Sequence, residues 1–178
     1  MATDLLDLYQ RSSEWTLGKV AGAHDLDVTT PCDEWDVRTL LNHMLEIQDY
    51  FATTARGRQA SPPSPHPPAL LSDDPVADFE RARNETIEAF DQPGVIEKTG
   101  PSLGIAAGDQ LLHGWDLAKA TGQDTTMPRG LAEEVYGLIH GRFTEDQRKG
   151  VFKPEVEVGP DASAQDRLLA YTGRNPSA

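Results

Sequence analysis

Asp109 and His113 lie four residues apart in Gly-Asp-Gln-Leu-Leu-His-Gly-Trp-Asp-Leu-Ala, residues 108–118. On a helix that is about one turn, so both side chains stack on one face. A carboxylate and an imidazole so placed supply two of the three protein ligands that a catalytic divalent metal takes, and the third is expected from a neighbouring helix. His43, in Trp-Asp-Val-Arg-Thr-Leu-Leu-Asn-His at 35–43, is the candidate. The same spacing also serves a surface ion pair or a helix-stabilising contact, so spacing alone leaves both readings open.

The other chemistry-bearing residues carry weaker signals. Cys32 is the only cysteine, which excludes an internal disulfide and a thiolate-rich zinc knuckle. It reads as a small, buried or half-buried residue rather than a catalytic thiol. Asp116, three residues beyond His113, is placed either to orient an imidazole as a hydrogen-bond acceptor or to pair with an arginine from another helix. His140 reads as a hydrogen-bonded structural histidine near the core side of a helix, and His24 and His66 as solvated loop residues. Trp35 and Trp115 read as core anchors, and Arg142, Arg148 and Arg174 as surface residues.

The elements that must position these residues are helical. Leu5, Leu8, Tyr9, Ser12, Trp15 and Thr16 recur at helical spacing behind an Asp4 cap, predicting a helix to about Val20. A second helix is expected from Val37 to about Ala55 behind Asp36, with Val37, Leu40, Leu41, Met44, Leu45, Gln48 and Phe51 as its stripe. His43 sits at the edge of that stripe. Residues 57–75 hold Pro62, Pro63, Pro65, Pro67, Pro68 and Pro75 and cannot be helical throughout, so they read as a long crossover or lid. Asp74-Pro75 then opens a third helix through Val76, Phe79, Ala82, Thr86, Ile87 and Phe90. A fourth is expected over Ile105 to Ala120, closed by Gly122, a fifth over Pro128 to about Phe143, and a short sixth from Ser163 to Tyr171, stopped by Gly173. Residues 151–160 read as extended. Four longer helices and a long crossover make an all-α four-helix bundle with two extra helices as cover.

The 178 residues suit one domain, large enough to bury a core without a metal or disulfide as a staple. Residues 145–178 are expected to form a C-terminal extension packed on the bundle. Asp plus Glu number 29 against 16 Lys plus Arg, a formal charge of -13, which repels phosphate backbones and anionic lipid surfaces. Nucleic-acid and membrane partners are therefore not expected. The first residues lack a basic n-region and no apolar run reaches membrane-spanning length, which predicts a cytoplasmic protein.

Three blocks carry a resemblance: Thr-Pro-Cys-Asp-Glu-Trp-Asp-Val-Arg-Thr-Leu-Leu-Asn-His at 30–43, Asp-Gln-Leu-Leu-His-Gly-Trp-Asp-Leu-Ala-Lys-Ala-Thr-Gly at 109–122, and Ala-Ser-Ala-Gln-Asp-Arg-Leu-Leu-Ala-Tyr-Thr-Gly-Arg-Asn-Pro at 162–176. Together they resemble the actinobacterial family related to the metal-binding N-terminal domain of mycothiol-dependent maleylpyruvate isomerase, within the DinB-like superfamily of four-helix bundles. The resemblance covers nearly the whole chain. It implies a divalent metal held by a histidine on the second helix and a pair one turn apart on a later helix, which here are His43, Asp109 and His113. Relatives often place Glu or His at the position of Asp109, whose shorter stem leaves direct and water-mediated ligation both open. The isomerase has a further C-terminal domain that contributes to its activity, and this sequence runs only to Ala178, so isomerisation of maleylpyruvate itself is not among the expectations.

Two imidazoles and a carboxylate suit Zn²⁺ with a fourth position open, and the same set serves Fe²⁺, Ni²⁺ or Mn²⁺. If a low-molecular-weight thiol such as mycothiol takes that position, the metal delivers a thiolate at neutral pH and the chemistry is transfer to, or isomerisation of, a small electrophile. If water takes it, the chemistry is hydrolysis. A non-catalytic, regulatory metal- or ligand-binding protein is the third reading. The expected partners are a small thiol and an electrophile, with the chain as a monomer or homodimer.

Overall fold

The computed structural model describes residues 4–32, 34–149 and 151–177, the side chain of Glu145 excepted; Asp33, beside Cys32 in the sequence, lies outside them. Eight helices are described: α1 (Leu5–Ala21), α2 (Val37–Ala55), α3 (Pro75–Phe90), α4 (Val95–Thr99), α5 (Ser102–Ala120), α6 (Leu131–Ile139), α7 (Glu145–Lys149) and α8 (Ala164–Tyr171). No strand occurs among the described residues, only an isolated bridge between Thr29 and Asp36. The chain divides into two compact units, one up to Thr126 and one from Met127 onward.

The first unit is the bundle. In it α1 packs on α3 and α5, and α2 packs on the same two helices, so each long helix has two neighbours. Of the expected stripes, Leu8 and Tyr9 on α1, Val37, Leu40, Leu41, Met44, Leu45 and Phe51 on α2 and Phe79 and Phe90 on α3 are buried, whereas Leu5, Trp15, Val76, Ala82 and Ile87 are half-buried. The caps act as their residue types dictate. Asp4 accepts from the backbone N–H of Leu6 and Asp7, Asp36 from Thr39 and Asp74 from Ala77. Helix α5 is buried along most of its length, from Leu103 to Ala118. Gly114 lets α1 approach it closely, because a Cβ there would meet Thr16 and would lie 2.9 Å from Trp15 Cζ3. Thr16 Oγ1 donates to the Gln110 carbonyl at 2.8 Å across the same contact.

Two buried polar side chains, Tyr9 and Gln48, pair across the bundle interior. Tyr9 donates its hydroxyl to Gln48 Oε1 at 3.1 Å, and Gln48 Nε2 donates to the Met44 carbonyl at 3.0 Å. Burial pushes the Tyr9 phenol well above its ordinary range. The Pro-rich crossover carries no helix, and α2 anchors it: Ser64 N–H donates to Glu46 Oε2 at 3.1 Å, and Leu70 and Leu71 N–H donate to Asn42 Oδ1 at 2.6 and 2.9 Å.

The structure departs from the expected elements at four places, one of them the five-residue α7, which was not anticipated. Helix α5 begins at Ser102 rather than Ile105, and α4, between left-handed Gly94 and Gly100, was not anticipated. Five residues are too short to show a periodic stripe. Helix α6 is shorter than predicted because left-handed Gly130 starts it late and His140 adopts extended backbone after Ile139.

In the second unit α6 packs on α8 through Leu131, Val135, Ile139, Leu168, Leu169 and Tyr171. Residues 151–160 form no strand among those described, and Val156 N–H donates to the Ala170 carbonyl at 3.0 Å. Arg148 is buried, not on the surface as expected. Its guanidinium lies 4.2 Å from the centre of the Tyr171 ring and donates to the Tyr171 carbonyl at 2.8 Å. No described helix is long and apolar enough to cross a membrane.

Candidate metal centre

Helix α2 brings His43 and α5 brings Asp109 and His113 to one place in the bundle. Asp109 Oδ1 lies 3.4 Å from His113 Nε2 and 3.8 Å from His43 Nε2. The three side chains are largely buried, 11%, 15% and 13% exposed for His43, Asp109 and His113. The ligand atoms all fall within 4.8 Å of one another. A tetrahedral zinc with nitrogen and oxygen ligands at about 2.0 to 2.1 Å spaces those ligands roughly 3.3 Å apart. The donor set suits a small divalent ion, and the two edges that meet at Asp109 are within about half an ångström of that spacing.

The outer groups differ for the two imidazoles. His113 Nδ1–H donates to Asp116 Oδ2 at 3.0 Å, and Asp116 is fully buried. Of the two readings of Asp116, orienting the imidazole is the one the geometry supports. A proton on Nδ1 leaves Nε2 aimed at Asp109 and His43, the tautomer a ligand needs. His43 Nδ1, by contrast, is buried with no hydrogen-bond partner.

Burial opposes charge on both Asp109 and His113, yet the two offset it for each other. The His113 charge, with hydrogen bonds from His113 and His43, holds the Asp109 carboxyl far below the usual carboxylate range. Asp109 and the bonds to Asp116 and Cys32 hold the His113 imidazolium well above the usual imidazole range.

Two neighbours were not legible in the spacing. Trp35, expected in the core, is half-buried beside the histidines, its ring centre 4.7 Å from that of His43 and 6.3 Å from that of His113. It belongs to the turn before α2, not to the helix stripe. Its Nε1–H donates to the Pro65 carbonyl at 3.1 Å, linking the crossover to this wall of the centre. Cys32 is half-buried, as expected, but its thiol donates to Asp116 Oδ2 at 3.2 Å and lies 3.7 Å from His113 Nδ1. A hydrogen-bonded turn holds both residues: Thr30 Oγ1 donates to the Trp35 carbonyl at 2.9 Å and accepts from Cys32 N–H at 3.1 Å. Left-handed Glu34 tightens the turn.

The remaining candidates lie elsewhere. His24 and His66 are exposed loop residues and Trp115 is a buried anchor, as expected. His140 is not on the core side; it ends α6, exposed, its ring tilted against Tyr136 and Tyr171 with centres 4.7 and 5.1 Å away.

Fold and site together define an all-α protein with a His/Asp/His cluster between two helices of a bundle. The chain belongs to the mycothiol maleylpyruvate isomerase N-terminal domain family, whose model matches residues 11–118, a span that includes all three residues. Its fold is accordingly the DinB-like helical bundle. Two relatives are similar over almost their whole length: uncharacterized protein Rv0738 of Mycobacterium tuberculosis strain ATCC 25618 / H37Rv and uncharacterized protein MT0763 of strain CDC 1551 / Oshkosh. Each is 30% identical over 186 residues, covering 96% of this chain and 98% of the relative. No solved structure matches the chain.

Proposed function

We propose that His43, Asp109 and His113 hold one divalent metal ion, and that the protein uses it in the cytoplasm to activate a small thiol, mycothiol by family, for attack on or isomerisation of a small electrophile. The observation that carries this reading is the triangle of His43 Nε2, Asp109 Oδ1 and His113 Nε2, spaced for an ion and drawn from two helices. An ion with three protein ligands has a position to spare for a thiol, and it lowers the thiol pKa so that the thiolate is available at neutral pH.

The chain's own residues set up that chemistry. Asp116 keeps the proton of His113 on Nδ1 and so presents Nε2 to the centre. Asp109 supplies the negative charge that offsets a divalent cation in a largely buried place. Trp35, tied to Pro65, walls the centre with an aromatic face.

The test uses cobalt as a coloured probe, in the Cys32→Ser variant so that the protein contributes no thiolate. Mycothiol, or a simpler thiol at millimolar concentration and neutral pH, is expected to produce a sulfur-to-cobalt charge-transfer band that is lost in the double variant carrying His43→Ala. No band in protein confirmed to hold cobalt overturns thiol activation and leaves hydrolysis or non-catalytic binding ahead.

A further inference from the structure

His113 faces two ligand groups, one on each ring nitrogen. Its Nε2 belongs to the triangle above. Its Nδ1 belongs to a second triangle with Cys32 Sγ and Asp116 Oδ2, whose edges are 3.0 Å from Nδ1 to Oδ2, 3.2 Å from Sγ to Oδ2 and 3.7 Å from Sγ to Nδ1. A tetrahedral ion bound by nitrogen and oxygen at about 2.0 to 2.1 Å and by sulfur at about 2.3 Å needs edges of roughly 3.3 to 3.6 Å. The three atoms are therefore within a few tenths of an ångström of a ligand set, from side chains on the turn before α2 and on α5 that are half-buried or buried. At present both the thiol and the Nδ1–H share one carboxylate oxygen.

We infer that Cys32, Asp116 and His113 Nδ1 form a second cation position, distinct from the His43/Asp109/His113 centre and suited to thiophilic divalent ions. Sulfur in the donor set is what separates the two: thiolate favours soft and borderline cations such as cadmium, zinc and cobalt, whereas a set with two imidazoles and a carboxylate and no sulfur accepts a wider range. Occupying the second position replaces two protons, one from the Cys32 S–H and one from His113 Nδ1, and both pass to solvent. With both positions filled the ring is an imidazolate ligating through each nitrogen.

The position is tested on the full chain with cobalt alone, no added thiol, and Cys32 kept reduced with a phosphine. The wild type and His43→Ala are both expected to show thiolate-to-cobalt charge transfer, because His43 belongs only to the first centre. Cys32→Ser abolishes the band while still binding cobalt through the first centre. Asp109→Asn replaces His43→Ala if circular dichroism shows that the latter does not fold. Absence of the band in the folded first-centre variant, or its persistence in Cys32→Ser, overturns the second position. A Cys32→Ser protein that binds no cobalt counts against the first centre instead, so the two readings fail separately.

Discussion

At the scale of residues, the behaviour of the centre turns on His113, whose imidazolium is flanked by Asp109 Oδ1 at 3.4 Å and Asp116 Oδ2 at 3.0 Å. The pKa of His113 is raised on folding, so the stabilisation from its charge is fully present below the unfolded value of about 6.5 and is lost as pH rises through the folded value. The pKa of Asp109 is lowered, so its part of the same interaction is present above the unfolded carboxylate pKa and lost only as strongly acidic pH is reached. Thermal unfolding of the metal-free protein should therefore show Tm falling as pH is raised above neutrality. Metal binding has the opposite slope, since the ion displaces a proton from His113: affinity, measured by competition with a chelating dye, should rise with pH across the same range. In the Cys32→Ser background, Asp116→Asn leaves His43, Asp109 and His113 in place but weakens the acceptor that fixes the His113 tautomer. Its metal affinity should fall by about 10- to 100-fold, and an unchanged affinity would show that Asp116 does not position the ring.

At the scale of elements, the centre depends on how closely α1 and α5 pack and on how α2 begins. Gly114 follows His113 and faces Trp15 and Thr16, where an added Cβ has no room. Gly114→Ala should destabilise the fold by about 1 to 3 kcal/mol in denaturant titration, despite alanine's better helix propensity. Asp36 caps α2 one residue after Trp35 and accepts the Thr39 N–H at 2.8 Å. Asp36→Ala should cost about 1 kcal/mol by the same measurement, and a neutral result would remove the cap from the account. These elements were legible because periodic apolar residues, caps and proline each act through local physics. The pair on α5 was legible for the same reason, since one helical turn fixes which side chains stack. Trp35 and Cys32 were not: their place beside the histidines depends on a turn closed by Thr30, whose geometry no period encodes. Arg148 was misjudged because the aromatic ring that receives it comes from a distant helix.

At the scale of the whole molecule, the bundle fully buries large apolar side chains, including Leu8, Phe79, Phe90, Leu103, Leu111 and Leu117. Chelation should therefore leave the far-ultraviolet circular dichroism unchanged, whereas loss of helix would make the metal structural. The formal charge of -13 favours cations at long range and disfavours phosphate-rich partners. The central claim is that His43, Asp109 and His113 together hold one divalent ion. Zinc titration of the Cys32→Ser protein, and of the same protein carrying His43→Ala, Asp109→Ala or His66→Ala, tests it most directly. The account predicts one zinc per chain, lost in the first two derivatives and retained unchanged in the third, where the exposed crossover histidine is removed. Equal zinc binding in all three, or none in the Cys32→Ser parent, would contradict it.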